Sequence, residues 1–394
     1  MIHRLLFVLI FLSAFACQQN QSSKILDQAL VSRDSIKQQY APDSRVALFD
    51  IQISQEGNRL LLAGQTDQYR ALATFMNILG AQGIQLVNQV NTLPDESTLK
   101  HEYAIVTNSV ANLRTQPKHS AELATQAILG TVLKVLKITE EWYYVQTPDD
   151  YIAWVDHGGV ALKTNTELQE WQAANKVIVT TVATKAYFDS KQKTVLSDLV
   201  LGNVLMKEGQ VDKLIRVRFP DGRFGYVSAD EVKDYQNWLN ELKPSGYLME
   251  YYARQLMGTP YLWGGTSAKA MDCSGFTKTV YLMNGLVIPR DASQQVNAGI
   301  AVDLERTFEE LKKGDLLFFG KPATDSSKQR ITHVGLWLGA GEFIHASERV
   351  RISSIDPAAL NYDEFNKNRY LGSRRYLNHL EGNIEQLKGR VELF

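Results

Sequence analysis

The chain has 394 residues, 44% of them hydrophobic and 22% charged, with a formal net charge of −1. That length accommodates about two to four domains of ordinary soluble composition, and near-neutrality supplies no global field for nucleic acid or an acidic membrane surface. Two cysteines and seven histidines, none clustered at zinc spacing, leave no metal site or cofactor to expect; with Cys17 assigned to a leader, they leave no disulfide framework either.

At the N-terminus, Arg4 precedes an apolar run from Leu5 to Ala16. The run falls short of the ~20 residues that cross a bilayer and suits a secretory signal peptide. Ala14-Phe15-Ala16-Cys17 resembles a bacterial lipoprotein signal, with cleavage before Cys17 and acylation of its thiol. Ala14-Phe15-Ala16 is also an A-x-A site for ordinary signal peptidase, in which case Cys17 is only the first mature residue. Both readings export the protein. The first makes residues 1–17 a lipoprotein-type signal and the product a periplasmic or cell-envelope lipoprotein, touching membrane through its anchor alone.

Residues 18–98 read as a polar, helix-compatible tether to about Pro42, then a small α+β domain. Val46–Ile53, Leu60–Gly64 and Ile84–Val87 have strand character, and Tyr69 to Leu79 repeats at helical spacing. Nothing in this unit suggests chemistry, so it is expected to space or dock. From 99 to 165 short β-rich runs are broken by turn residues: Tyr103–Val106, Val132–Ile138, Trp142–Val145 and Ile152–Val155. With Asn112–Pro117, these resemble a bacterial SH3-like barrel. Residues 166–244 repeat the plan more loosely through Val177–Val182, Val204–Met206, Leu214–Phe219 and Gly225–Val227, with Pro220-Asp221-Gly222-Arg223 a hairpin turn. Such barrels bind wall glycans or peptides, while Trp142, Trp154 and Tyr226 serve equally well as core.

Residues 245–380 carry the chemistry, with 381–394 a tail. Met249 to Leu256 reads as a helix, and Ser274 to Met283 as a second one with Asp272 as its N-cap. Cys273, the sole cysteine beyond the leader, then occupies the first turn, where unpaired N–H groups and the helix dipole favour a thiolate and can donate to an oxyanion. Gly314–Phe319, His333–Leu338 and Glu342–Ala346 read as strands, and the turn at Gly339-Ala340-Gly341 can bring His345 beside His333. His333 is then the base for Cys273, and His345 fixes its tautomer.

The segment from about Tyr247 to Leu377 resembles an NlpC-type papain-like cysteine peptidase domain. The matching pieces are Tyr-x-Trp-Gly-Gly at Tyr261–Gly265, Asp272–Phe276, Pro289–Gln295, Gly314-Asp315-Leu316 and the two histidine strands. The resemblance implies an α+β papain-like (NlpC-type) catalytic domain preceded by two small SH3-like β-barrels and a small α+β N-terminal unit. It also implies a peptidase acting on bacterial wall peptides, with Cys273, His333 and His345 catalytic, Tyr261 an oxyanion or electrophilic helper, and no metal. Tandem barrels resemble the subgroup of γ-D-glutamyl-L-diamino acid endopeptidases, like dipeptidyl-peptidase VI, that require a free N-terminal L-Ala. By that likeness Glu122 and Tyr151 wall off the site, and Trp263, Asp272, Ser274, Asp291 and Ser293 complete the pocket for a murein peptide, L-Ala-γ-D-Glu-diamino acid. Two other readings compete: an amidase or endopeptidase for another wall bond, and a catalytically inactive lipoprotein that only binds peptidoglycan.

Overall fold

The computed structural model describes residues 24–57, 59–95, 99–390 and 394, so the leader and Cys17 lie outside the described residues. The described residues divide into two compact units, one ending at Lys100 and one running from His101 to Phe394.

In the first unit a hairpin, Phe49–Glu56 with Arg59–Thr66, leads through the helix Tyr69–Ala81 to Gln85–Thr92, which lies parallel beside Arg59–Thr66. Phe49, Ile51, Leu60 and Leu62 pack against Leu72, Phe75 and Leu79 of the helix. Residues 24–40, expected to be a tether, form a helix, and its Ala29 and Ile36 are buried in this same core. Its polar composition hid one narrow apolar stripe, which is enough to dock a helix on a small sheet.

The second unit opens with two barrels of seven strands each. The first runs from Tyr103–Val106 to Val160–Lys163, the second from Lys176–Val179 to Val232–Asp234. Their strand orders are identical: from one edge, seventh, first, fourth, fifth, sixth, second, third. The repeat is therefore closer than its sequence. A helix, Asn165–Ala173, joins the barrels; Thr164 caps it in a capping box with Glu167, and Trp171 buries its ring in the core. Of the barrel aromatics, Trp142 is core, while Trp154 and Tyr226 are half-buried.

The C-terminal domain sets two helices, Gly246–Gln255 and Cys273–Leu282, against a six-stranded antiparallel sheet. The sheet order is Ile300–Val302, Tyr370–Arg375, Leu316–Lys321, Arg330–Gly339, Glu342–Ser347, Arg349–Ser354. Phe276 and Val280 meet Val334, Leu336 and Ile344, each fully buried side chain contributing about 1.5–3 kcal/mol. The core is continuous with both barrels, through Ile105, Ile128 and Val132 of the first and Ile178, Val200 and Val204 of the second. The tail expected at 381–394 is part of this fold. Glu385–Gln386 pairs with Leu286–Val287, and Ile384, Leu387 and Phe394 are buried. Among the described residues no helix is long and apolar enough to cross a membrane.

Candidate active site

Cys273 opens its helix because Asp272 ends the preceding strand in extended conformation and its carboxylate accepts the Gly275 N–H at 2.7 Å. The helix can sit this close only because residue 275 is glycine: a Cβ there would stand 2.0 Å from the Gly265 carbonyl oxygen. The Cys273 thiol is buried, and the backbone N–H groups of Ser274 and Val334, the latter one residue beyond His333, act to lower its pKa. His333 turns Nε2 to His345 Nδ1 at 2.7 Å, and His345 Nε2 meets Ser353 Oγ at 3.0 Å. The two histidines are diagonal neighbours on adjacent strands, since Leu336 pairs with Ile344.

Electrostatics modify the expected thiolate. Burial, assisted by the Asp272 charge, pushes the Cys273 thiol up to about 12, against the helix N-terminus. Desolvation, assisted by the Arg369 charge, pushes the His333 imidazole down to about 4. At neutral pH the resting pair is therefore thiol and neutral imidazole. Tyr261 is about one-third exposed, and burial followed by the charges of Cys273 and Asp272 raises its phenol, so its O–H remains a donor beside the nucleophile.

The first barrel touches the segments beside the nucleophile. Trp263 donates its indole N–H to Glu122 Oε1 at 2.7 Å, and the Tyr151 hydroxyl donates to Asp291 Oδ2 at 3.2 Å. Asp291 also caps the short helix Ala292–Gln295, whose first turn carries the exposed Ser293. Gly264 lets the Tyr261–Gly265 loop press on the barrel: at φ 79°, a Cβ there would lie 2.2 Å from the Leu123 carbonyl oxygen.

Two expected pocket residues have other work. Asp272 and Ser274 are buried and committed to Arg290, whose guanidinium reaches Asp272 at 2.6 and 3.1 Å and Ser274 Oγ at 2.9 Å. Asp272 also accepts the Gly264 N–H at 3.0 Å. With its lone pairs filled, Asp272 braces the nucleophile's loop instead of offering a carboxylate to an ammonium group. Arg290 is 1% exposed and continues to Thr125 Oγ1 in the first barrel at 3.0 Å. Burial opposes its charge, and the Asp272 carboxylate outweighs that. Sequence reasoning assigned Arg290 no role; its place between Pro289 and Asp291 in a matching motif was the available signal. Nor did it single out Ser353 or Asp363, whose Oδ2 lies 3.8 Å from His345 Nε2. Among the described residues no group of three His, Cys, Asp or Glu side chains is arranged to hold a metal ion.

A thiol at a helix N-terminus beside a His–His pair, on a helix packed against an antiparallel sheet, defines the papain-like class of cysteine hydrolase. Residues 258–375 match the NlpC/P60 family, and residues 113–159 match the bacterial dipeptidyl-peptidase Sh3 domain. A gamma-D-glutamyl-L-lysine dipeptidyl-peptidase of Bacillus cereus is 31% identical over 264 residues, covering 65% of this chain and 76% of the relative. Dipeptidyl-peptidase 6 of Lysinibacillus sphaericus is 30% identical, covering 64% and 92%. The crystal structure of an NlpC/P60 family protein from Bacillus cereus superimposes with a TM-score of 0.59 at 26% identity, covering 70% of this chain and 99% of that one. The chain belongs to the NlpC/P60 family of peptidoglycan hydrolases, and it is a cysteine peptidase with bacterial SH3-like domains before its catalytic domain.

Proposed function

We propose that this protein is an exported, lipid-anchored peptidase that cuts the γ-D-Glu–diamino acid bond of murein peptides bearing a free N-terminal L-Ala. The observation that carries this reading is the barrel contact: Trp263 donates to Glu122 and Tyr151 donates to Asp291, and we take these contacts to close the cleft on the acyl side of Cys273. A cleft shut at that end admits a dipeptide and refuses a stem still joined to sugar. Glu122 and Asp291 supply carboxylates for the ammonium of L-Ala. The names of the two dipeptidyl-peptidase relatives agree with release of a dipeptide.

Cys273 Sγ attacks the γ-carbonyl carbon of D-Glu while its proton passes to the His333 nitrogen not engaged with His345. The oxyanion is met by N–H groups of the helix's first turn and by the Tyr261 hydroxyl. The C–N bond then breaks, the His333 proton goes to the leaving amine, and an acyl-thioester remains. Water, losing its proton to His333, hydrolyses the thioester; the proton returns to sulfur. Because the resting pair is neutral, proton transfer accompanies attack.

Mass spectrometry of L-Ala-γ-D-Glu-L-Lys and of its meso-diaminopimelate counterpart, with Cys273→Ser as control, tests the bond. Release of Ala-Glu by the wild type alone is expected; another fragment, or none, contradicts the assignment. Labelled palmitate should mark the wild type and spare Cys17→Ser, and a wild type without label would remove the anchor.

A further inference from the structure

We propose that Ser353 and Asp363 are positioning residues that end a hydrogen-bonded relay from Cys273 and fix the tautomers of both histidines. The inference rests on the reading of Cys273 and His333 as nucleophile and base, and it adds two residues that reading does not use.

A neutral imidazole carries one N–H and one bare nitrogen. His333 Nε2 is engaged with His345 Nδ1, so Nδ1 of His333 must be bare to receive the thiol proton. The N–H of His333 is then on Nε2 and donates to His345 Nδ1, which leaves the His345 proton on Nε2. That nitrogen faces Ser353 Oγ at 3.0 Å and Asp363 Oδ2 at 3.8 Å. A hydroxyl alone does not choose between tautomers, since it donates or accepts. The carboxylate does choose, because it favours a proton on the nitrogen nearest to it.

The local fold holds both groups in place. His345 is fully buried, and Ser353 is buried on the adjoining strand Arg349–Ser354. Asp363 donates its backbone N–H to the Ser354 carbonyl at 2.8 Å, tying its loop to that strand. Asp363 caps the short helix Glu364–Lys367, its carboxylate accepting the Asn366 backbone N–H at 2.9 Å and the side-chain amide at 2.7 Å. The charges facing His333 come from several elements. Arg369, after the short helix, and Arg351, opposite His345 on the paired strand, oppose an imidazolium; Asp363, and Asp272 beside the thiol, favour it. During catalysis the proton from Cys273 stays on His333 Nδ1 until it reaches the leaving amine, and none passes to His345. The relay orients the pair and holds its polarity.

The test uses full-length protein and three variants. Asp363→Asn keeps a helix cap and removes the charge; Ser353→Ala removes the hydroxyl, and Ser353→Thr restores it. ¹⁵N–¹H correlation of the histidine rings should place the His345 proton on Nε2 in the wild type and in Ser353→Ala, where Asp363 still selects it, and show a second tautomer in Asp363→Asn. With L-Ala-γ-D-Glu-L-Lys, kcat should fall about tenfold or more in those two variants at unchanged KM. Ser353→Thr should retain it. Without the Asp363 charge the His333 imidazolium is less stable, so the acid limb of the pH profile should move to lower pH. A His345 proton on Nδ1 in the wild type, or an unchanged tautomer in Asp363→Asn, overturns the proposal whether or not the peptide is turned over. His333→Ala separates the two readings: full turnover by that variant sinks the catalytic assignment. Loss of turnover there, with wild-type kcat and acid limb in Ser353→Ala and Asp363→Asn, sinks only the relay.

Discussion

Arg290 shows how one side chain joins scaffold and site. It is buried, it is paired to Asp272, and it reaches Thr125 of the first barrel, so removing it strands a buried carboxylate. Arg290→Met is expected to cost about 3–5 kcal/mol and to lower the melting temperature clearly, as loss of one partner of a buried pair does. A shift within about 0.5 kcal/mol, the range of an ordinary surface change, would show that Asp272 has other support. Cys273 makes the second residue-scale prediction. With its thiol held near 12 by burial, the thiolate fraction grows about tenfold per pH unit through the neutral and mildly alkaline range. Iodoacetamide alkylation without substrate should therefore be slow at pH 7 and still climbing at pH 10. A plateau reached below pH 7 would mean that the helix dipole outweighs burial after all.

At the scale of elements, the tight place is the loop before the nucleophile. Gly264 adopts φ 79° against the Leu123 carbonyl, so Gly264→Ala must push the Tyr261–Gly265 loop off the barrel. A cost of about 1–3 kcal/mol is expected, together with a raised KM for the tripeptide as Trp263 leaves Glu122. An unchanged KM would separate loop position from substrate binding. Much of this architecture was legible in the sequence, because β-branched runs, turn residues and the Asp272 cap act locally. The strands Val110–Arg114, Leu123–Ile128, Ala183–Tyr187 and Val195–Val200 were less so. Lys185 and Asp198 interrupt the apolar pattern of the second pair, and each of the two pairings carries a register shift, at Leu113/Arg114 and at Ala186/Tyr187. In the site, the sequence pointed to Cys273, His333, His345 and the wall residues; the structure sets His333 against His345, Glu122 against Trp263 and Tyr151 against Asp291. It did not point to Arg290, Ser353 or Asp363, whose parts depend on neighbours 18, 8 and 18 positions away. An arginine or serine looks like solvent-facing surface until tertiary contacts bury it.

For the second unit as a whole, the barrels and the catalytic domain share a core, so the wall at Glu122 and Tyr151 is held by packing and by Arg290, Gln126 and Lys278. Gln126 meets Thr266, and Lys278 pairs with the buried Asp149 at 2.6 Å. The C-terminal segment belongs to the same body through Ile384, Leu387 and Phe394. Ending the chain at Leu380 should lower the melting temperature and weaken folding by several kcal/mol, at about 1.5–3 kcal/mol for each large side chain lost from the core. Unaltered melting would return residues 381–394 to the status of a tail. We propose that the barrel wall makes a site for a free L-Ala ammonium, and the direct measurement is kcat/KM for L-Ala-γ-D-Glu-L-Lys beside its N-acetylated copy. Acetylation removes the charge and adds bulk at the closed end, so the account predicts turnover of the free peptide and a loss of about a hundredfold or more for the acetylated one, on the scale of a buried charge left without its partner. Equal values for the two peptides would contradict it.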